Sequence, residues 1–310
     1  MNIVILGAAG FIGTNLSLKL AADRKNRLTL IDHKMDYFQP VLRRQDNINL
    51  VESELSNDTD FGSLVDGQEF VYHLMSTTIP KTSNQHIAQE LNANVVTTAN
   101  LLDACVKKGI KKVVFISSGG TVYGKELACP LKETMLTYPI SSYGIQKITI
   151  EKLLYLYNYL YALDYRVVRL ANPYGPYQRP NGGLGAVTTF IYHALTDNKI
   201  TVYGDGSVVR DYIYIDDAIR GIINIANGEV GKHTFNLGSG IGININEVLR
   251  CISATLGLKL NVVYEHGRKC DVPVNYLDIT KYEKYLGKLN PISLSEGIIK
   301  TAEFMRKNLL

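Results

Sequence analysis

The sequence predicts an α/β fold, with a doubly wound parallel sheet of about seven strands and a smaller mixed α/β domain toward the C-terminus. Three observations support this prediction. Residues 3–6 form a short apolar run, the pattern of a strand buried on both faces. A glycine-rich turn at residues 7–13 follows at once. Further strand candidates then alternate with helix-compatible stretches as far as residue 171, the order expected of a parallel sheet.

The turn at residues 7–13 is predicted to bind the phosphates of a dinucleotide. Gly7 allows a tight turn, small residues at 8–10 let backbone N–H groups approach a pyrophosphate, and Gly13 lets the following helix pack near the strand. The phosphates then lie at a helix N-terminus, which favours an anion. Asp32 ends the second strand candidate, where it can accept hydrogen bonds from the adenosine ribose and repel a 2′-phosphate. The predicted cofactor is therefore NAD.

Composition argues against several classes of partner. A net charge of +4 with scattered basic residues offers no track for nucleic acid, and no segment has the length of a membrane span. The first residues enter a strand directly, so no signal peptide is predicted. The four cysteines are far apart and form no Cys-x-x-Cys motif, which fits a reducing cytoplasm better than disulfides or a metal site.

A second pattern, at residues 112–147, predicts acid–base chemistry. A strand candidate leads into a serine- and threonine-rich loop, and a helix candidate then carries Tyr143 and Lys147 on one face, one turn apart. A phenol with a pKa of about 10 is a poor base at pH 7. We expect the Lys147 ammonium and a positive nicotinamide ring to lower it by about three units, or roughly 4 kcal/mol. Tyr143 then accepts a proton from a hydroxyl while hydride leaves the same carbon.

Four stretches together resemble one known family. They are Gly-x-x-Gly-x-x-Gly at 7–13, Thr-Val-Tyr-Gly at 121–124, Tyr-x-x-x-Lys at 143–147 and Val-Arg-Asp-Tyr-Ile at 209–213. The chain resembles the extended short-chain dehydrogenase/reductases, in their nucleotide-sugar epimerase/dehydratase family, and most of all the UDP-glucose 4-epimerase type. The resemblance implies a Rossmann-type NAD domain over 1–172 and about 208–237, with a nucleotide-sugar domain over 173–207 and about 238–310.

The resemblance also implies which residues contact NAD. They are Gly7, Gly10, Phe11, Ile12, Gly13, Asp32, His33, Glu54, Leu55, Leu74, Met75, Ser76, Asn92, Ser117, Tyr143, Lys147 and Pro173. His73 also ends a strand candidate, but a histidine in an apolar run is more often a packed, hydrogen-bonded core residue than a catalyst. We expect His73 to be such a core residue.

The loop at 117–124 departs from the family pattern at one position. Family epimerases place a serine beside the substrate hydroxyl where this chain has Gly119, so the resemblance leaves that role to Thr121, supported by Ser118. Related dehydratases carry an Asp-Glu pair, and decarboxylases a glutamate, where this chain has Gly120 and Thr121. Without those carboxylates, the implied reaction is epimerisation at C4 of a UDP-hexose through a transient 4-keto sugar.

The resemblance implies a nucleotide-sugar site as well, with Arg210 and Arg268 on the diphosphate because a guanidinium suits paired phosphate oxygens. The residues implied to contact substrate are Thr121, Tyr143, Asn172, Gly183, Leu184, Tyr203, Arg210, Arg268 and Asp271. A surface ion pair is the alternative for each arginine. Asn275 aligns with the residue that lies beside the 2-substituent of the sugar, next to Tyr276.

Several alternatives stay open at this point. The reaction can instead be net hydride transfer by a nucleotide-sugar reductase or dehydrogenase, or the chain can be a non-catalytic NAD-binding protein. The sugar and the nucleoside are not fixed by the sequence. The apolar helix candidates at 86–108 and 143–163 imply, by the same resemblance, a homodimer with a four-helix interface.

Overall fold

Parallel strands and the helices between them dominate the first half of the chain. The computed structural model describes residues 1–78, 83–124, 128–180, 185–228, 231, 233–267 and 272–310. Its strands are β1 (Asn2–Leu6), β2 (Arg27–Asp32), β3 (Ile48–Glu52), β4 (Phe70–His73), β5 (Lys112–Ser118), β6 (Asp164–Leu170), β7 (Asn172–Tyr174), β8 (Ile200–Tyr203), β9 (Val209–Tyr214), β10 (Thr234–Leu237), β11 (Gly242–Asn244), β12 (Val262–Glu265) and β13 (Val274–Asn275).

The helices connect these strands. They are α1 (Phe11–Ala21), α2 (Pro40–Arg43), α3 (Phe61–Leu64), α4 (Ile87–Leu91), α5 (Thr97–Lys107), α6 (Ser142–Tyr161), α7 (Ala186–Leu195), α8 (Ile215–Asn227), α9 (Ile245–Leu256), α10 (Thr280–Leu286) and α11 (Leu294–Asn308), with a short 3₁₀ helix at Met35–Tyr37. In the part of the chain that the structure describes, no helix is long and apolar enough to cross a membrane.

A seven-stranded sheet in the order β10-β6-β5-β4-β1-β2-β3 confirms the predicted fold class. The pairs β1–β2, β1–β4, β2–β3 and β4–β5 are parallel. Residues 3–6 are all buried, as expected of a strand covered on both faces. Apolar side chains of β1, β4 and β5 pack with those of α5 and α6 in one core cluster.

Two compact units divide the chain. The first comprises 1–122, 139–169 and 225–235, and the second comprises 123–138, 170–224 and 236–310. These boundaries follow internal contacts, and they differ from the predicted domain boundaries at 123–138 and 208–224. The functional division into an NAD domain and a nucleotide-sugar domain stays a prediction.

The long helix predicted over 86–108 is interrupted by a π-helical segment. α4 passes into a wide turn at Asn92–Val96 before α5 begins. Such turns often occur at functional sites, because they change which side chains face a neighbouring element. Gly109 follows α5 with a φ of +69°, a conformation that glycine adopts without strain, and this ends the helix.

In the second unit, β9 is the central strand. It pairs in parallel with β7 and β13 and antiparallel with β11, and a separate parallel pair joins β8 to β12. Asp211 on β9 is buried and accepts hydrogen bonds from Ser239 N, Ser239 Oγ, Gly240 N and Leu277 N. This carboxylate therefore fixes the loop at 238–240 against β9.

Candidate active site

The turn after β1 has the conformation that its glycines were predicted to provide. Gly7 has a φ of +81°, and a Cβ there would lie 3.0 Å from Met75 N. A Cβ on Gly13 would lie 2.4 Å from Gly7 O, inside van der Waals contact. Any larger residue at Gly13 would therefore push α1 away from the turn.

The start of α1 presents backbone N–H donors that suit an anion. Gly10 is the N-cap and provides no side-chain cap, and the first turn contains no acidic residue. The N–H groups of a first helical turn have no partner within the helix, and the macrodipole adds positive potential there. The donors and the tight glycine packing fit a pyrophosphate, so these residues could hold NAD.

Asp32 lies at the carboxyl end of β2, beside this turn. Its Oδ2 accepts a hydrogen bond from Ala9 N at 2.9 Å, and its Oδ1 accepts from His33 N at 2.9 Å. His33 Nδ1 is 2.7 Å from the same Oδ1. The carboxylate is thus held next to the phosphate turn, which fits the predicted contact with an adenosine ribose.

Tyr143 and Lys147 lie on the first two turns of α6. Ser141 caps this helix by accepting a hydrogen bond from Gly144 N. Lys147 Nζ lies 5.4 Å from the centre of the Tyr143 ring and 4.7 Å from that of Phe115, and it donates to Ile116 O at 2.9 Å. The ammonium is therefore held between α6 and β5, facing the phenol.

Burial changes the protonation of both groups. Burial raises the pKa of Tyr143 to about 12. It lowers the pKa of Lys147 to about 8, and the nearby Glu151 carboxylate opposes this lowering. In the chain without NAD, desolvation of the phenolate outweighs the attraction of the Lys147 ammonium. The predicted fall in the phenol pKa also required the nicotinamide ring, and it stays a prediction. Lys147 nevertheless remains mostly protonated at pH 7.

Thr121 presents a hydroxyl close to the start of α6. Within the described part of the chain, its Oγ1 is buried and has no hydrogen-bond partner. A Cβ on Gly144 would lie 2.7 Å from Thr121 O, so the missing side chain at Gly144 allows the loop to contact α6. Ser118 is half-buried at the end of β5. A buried hydroxyl without a partner is costly unless something binds it, so Thr121 is a good candidate for a ligand contact.

The loop after β4 is fixed by a residue that the sequence did not indicate. Asn94, buried in the π-helical segment, accepts from Thr77 N at 3.0 Å and donates to Thr77 Oγ1 at 2.8 Å. Asn92, which was predicted to contact NAD, is exposed, and its role stays a prediction. The signal in the sequence was that Asn94 is a polar residue on the apolar face of the helix candidate at 86–108.

His73 is confirmed as a packed core residue. It is 1% exposed, its Nε2 is 2.8 Å from Thr98 Oγ1, and its ring lies 5.2 Å from that of Phe115. Burial, together with the Lys147 charge, lowers the pKa of His73 to about 3. The imidazole is therefore neutral at pH 7.

The other predicted cofactor residues of the first unit lie mainly at the carboxyl edge of the sheet. Leu74 N donates to Leu6 O, Met75 contacts Gly7, and Ser76 Oγ donates to Thr78 O. Glu54 and Leu55 follow β3, and Phe11 and Ile12 begin α1. Ser117 is buried, and its hydroxyl donates to Glu151. The geometry brings these residues to one edge, but their contacts with NAD remain predictions.

Apart from Thr121 and Tyr143, the described residues of the predicted nucleotide-sugar site lie in the second unit. Arg210 Nη1 donates to Val209 O and Val272 O, Asn172 Nδ2 donates to Asp211 O, and Asn275 pairs with Arg210 in the sheet. Pro173 pairs with Ile213. The four predicted residues Gly183, Leu184, Arg268 and Asp271 lie outside the described residues.

A cleft opens at the carboxyl ends of β8 and β12. Its volume is about 990 Å³, and it is lined by Gly204, Asp205, Tyr264, Glu265, His266 and Gly267. Tyr203, predicted to stack on the nucleoside base, immediately precedes this lining and is 42% exposed. An exposed aromatic ring next to a cleft of this size can cover the face of a base.

Comparisons with known proteins identify the family and the fold of the chain. The model of the NAD dependent epimerase/dehydratase family matches residues 3–238. The UDP-glucose 4-epimerase of Mycolicibacterium smegmatis is 32% identical over 309 residues, covering 99% of both chains. The crystal structure of UDP-glucose 4-epimerase with UDP-glucose from Thermotoga maritima has a TM-score of 0.92, 33% identity and full coverage of both chains. That of UDP-glucuronic acid 4-epimerase from Bacillus cereus, in complex with UDP-glucuronic acid and NAD, has a TM-score of 0.90 and 26% identity over 99% of both chains.

Proposed function

The chain belongs to the NAD dependent epimerase/dehydratase family, and we propose that it is an NAD-dependent 4-epimerase of a UDP-hexose. One observation carries this proposal. Lys147 Nζ lies 5.4 Å from the centre of the Tyr143 ring, in a fold that also has a glycine turn suited to a dinucleotide. The relatives named UDP-glucose 4-epimerase support the choice of reaction.

The proposed mechanism assigns a task to each residue of the pair. When bound, NAD would provide the hydride acceptor for C4 of the sugar and, in its reduced form, the hydride donor. Tyr143 Oη accepts the proton of the 4-hydroxyl and later returns it. Lys147, protonated at pH 7, favours the phenolate by its charge and would hold the nicotinamide ribose. Asp32 and the first turn of α1 hold the adenosine ribose and the pyrophosphate.

Thr121 is proposed to position the sugar hydroxyl in place of the serine that Gly119 replaces. Its buried hydroxyl can donate to the 4-oxygen of the sugar, with Ser118 in support. Gly120 and Thr121 supply no carboxylate, and elimination of water needs an additional acid and base. This difference favours epimerisation over the dehydration or decarboxylation that other family members catalyse.

The second unit is proposed to bind the nucleoside diphosphate. Arg210 and Arg268 are assigned to the phosphates, Asn172 to the diphosphate or sugar, and Tyr203 to the base. The base pocket is proposed to include Gly183 and Leu184. Asp271 is proposed to contact the ribose. The cleft beside Tyr203 is the described feature that supports this assignment.

We also propose a homodimer formed through the outer faces of α4, α5 and α6. Large apolar side chains are exposed there, including Tyr155 at 60%, Tyr159 at 77% and Leu160 at 54% on α6. Ile87 and Val96, on the α4–α5 run, are 49% and 44% exposed. Exposed apolar faces on adjacent helices are typical of an interface between copies.

We also propose a cytoplasmic location, in agreement with the free thiols of Cys105, Cys129 and Cys251.

The experiment that tests the proposed function compares three substrates. Purified protein is incubated with UDP-glucose, UDP-N-acetylglucosamine or UDP-glucuronate, and the C4 epimer of each is quantified by chromatography. Heat-released ligand is analysed for NAD in parallel. We expect one or more substrates to be epimerised without added NAD. Stoichiometric NADH would indicate a net oxidoreductase instead, and bound NAD without turnover would indicate a non-catalytic protein.

A further inference from the structure

Glu151 lies one helical turn beyond Lys147 on α6 and is 7% exposed. Ser117 Oγ on β5 donates to its Oε1 at 2.5 Å. Arg169 on β6 donates through Nη2 to Oε2 at 2.7 Å and through Nε to Oε1 at 3.1 Å. A carboxylate, a guanidinium and a hydroxyl from three elements thus meet in the interior beside Lys147.

A buried pair of this kind has no evident advantage for stability alone. Removing two charges from water costs several kcal/mol, and apolar residues of similar volume often serve as well or better. The pair does, however, place a fixed negative charge at a defined position. Arg169 and Ser117 stabilise that charge and restrict the Glu151 side chain, because both carboxylate oxygens accept hydrogen bonds.

The groups that face Lys147 come from three elements. On α6, Tyr143 lies one turn before Lys147 and Glu151 one turn after it. From β5, Phe115 and Ile116 O contact it. The His73 ring on β4 lies 5.2 Å from that of Phe115. His73 is neutral at pH 7. Among these described groups Glu151 alone carries a negative charge near the ammonium, and its charge opposes the effect of burial on the pKa of Lys147.

We propose that Glu151 is a positioning residue that keeps Lys147 charged, and that Arg169 and Ser117 hold its carboxylate for that purpose. The inference rests on the proposed function of Lys147 as the cation that favours the Tyr143 phenolate. Replacing Glu151 by a neutral residue removes the carboxylate that pairs with Arg169 and that attracts the Lys147 ammonium, and both buried cations remain. Lys147 then loses its proton at a lower pH, and Tyr143 loses a charge that favours its phenolate.

The direct test is the titration of Lys147 itself. Protein is prepared with lysine carbon-13 labelled at Cε, and the Lys147 signal is assigned by its loss in Lys147→Arg. Wild-type protein should titrate at about 8. Glu151→Gln should lower the midpoint by about one pH unit or more, and Glu151→Asp, which keeps the charge, should restore most of the difference.

A matched control removes a carboxylate from the opposite edge of the same sheet. Glu69 precedes β4 and forms an exposed ion pair with Lys111. Glu69→Gln should leave the Lys147 midpoint unchanged. All variants are measured at equal NAD content, checked by absorbance, so that the cofactor charge is the same in each.

A second variant separates the effect of Glu151 on the pKa of Lys147 from the structural role of the Glu151–Arg169 ion pair. Because a buried cation without its partner can prevent folding, Glu151→Gln is also combined with Arg169→Met, which removes both charges. The Lys147 midpoint should still fall in this variant. An unchanged midpoint in either folded variant would show that Glu151 serves only the packing of α6 against β6.

Turnover supplies the second readout. The activity of Glu151→Gln relative to wild type should fall as the pH rises from 6 to 9, because Lys147 is then increasingly neutral. A loss independent of pH would contradict the proposal. If the wild-type protein shows no epimerase activity, the proposed function fails, while the titration still decides whether Glu151 controls the charge on Lys147.

Discussion

Lys147 is the residue on which the protonation of the site depends. It is protonated below a pKa of about 8, and in that form it favours the Tyr143 phenolate against the effect of burial. Lys147→Ala removes this charge, so the phenol ionises only nearer to its own raised pKa. We expect turnover to be slower and its pH optimum to move upward. The measurement is the pH profile of turnover at saturating substrate; an unchanged optimum would contradict the role given to Lys147.

Thr121 offers a more local prediction. Thr121→Val keeps the shape of the side chain and removes the hydroxyl that is buried without a described partner. If this hydroxyl contacts the sugar, turnover should fall by about 10–100-fold, which corresponds to one hydrogen bond of roughly 1.5–3 kcal/mol. Steady-state kinetics and a melting curve separate this loss from instability. Full activity in a stable Thr121→Val variant would transfer the role to Ser118.

At the scale of elements, the junction of β1 and α1 depends on close backbone packing. Gly13→Ala places a methyl group 2.4 Å from Gly7 O, so α1 must shift and its first-turn N–H groups move from the phosphate position. We expect a loss of about 1–3 kcal/mol in unfolding free energy and less NAD in the purified protein. Gly231→Ala, whose Cβ would meet no described atom within 4 Å, is the control. Equal NAD content in the two variants would refute this prediction.

The elements that the sequence predicted well are those with local signals. The turn at 7–13 and the α6 pair Tyr143 and Lys147 follow from spacing within a few residues, and the structure has them as expected. The π-helical segment was not predictable, because a wide turn has no residue pattern of its own. Asn94 was therefore missed, since the turn places it against the loop after β4.

The protonation of Tyr143 could not be predicted from spacing either. A helical spacing of four residues fixes which side chains are neighbours, but the burial that raises the phenol pKa depends on the whole sheet. The Glu151 network was missed for a similar reason. Its members come from β5, β6 and α6, and no short stretch of sequence contains more than one of them.

At the scale of the whole molecule, the exposed faces of α4, α5 and α6 predict the assembly state. Sedimentation at micromolar concentration should give twice the chain mass of 34.5 kDa. Tyr159→Glu, at the most exposed of these aromatic positions, should shift the equilibrium toward monomer because it would bury a charge in the interface. Ile299→Glu, on α11 and 44% exposed, is the control. A wild-type mass of one chain would reject the dimer.

The most direct test of the central claim follows the hydrogen at C4. UDP-glucose, UDP-N-acetylglucosamine and UDP-glucuronate, each carrying deuterium at C4, are incubated with the purified protein without added NAD. Tyr143→Phe, expected to be about 10²–10⁴-fold slower, is the control. We expect one or more substrates to form the C4 epimer with deuterium retained and without accumulation of NADH. Deuterium lost to water, a product that has lost water or carbon dioxide, or no product from any substrate would contradict it.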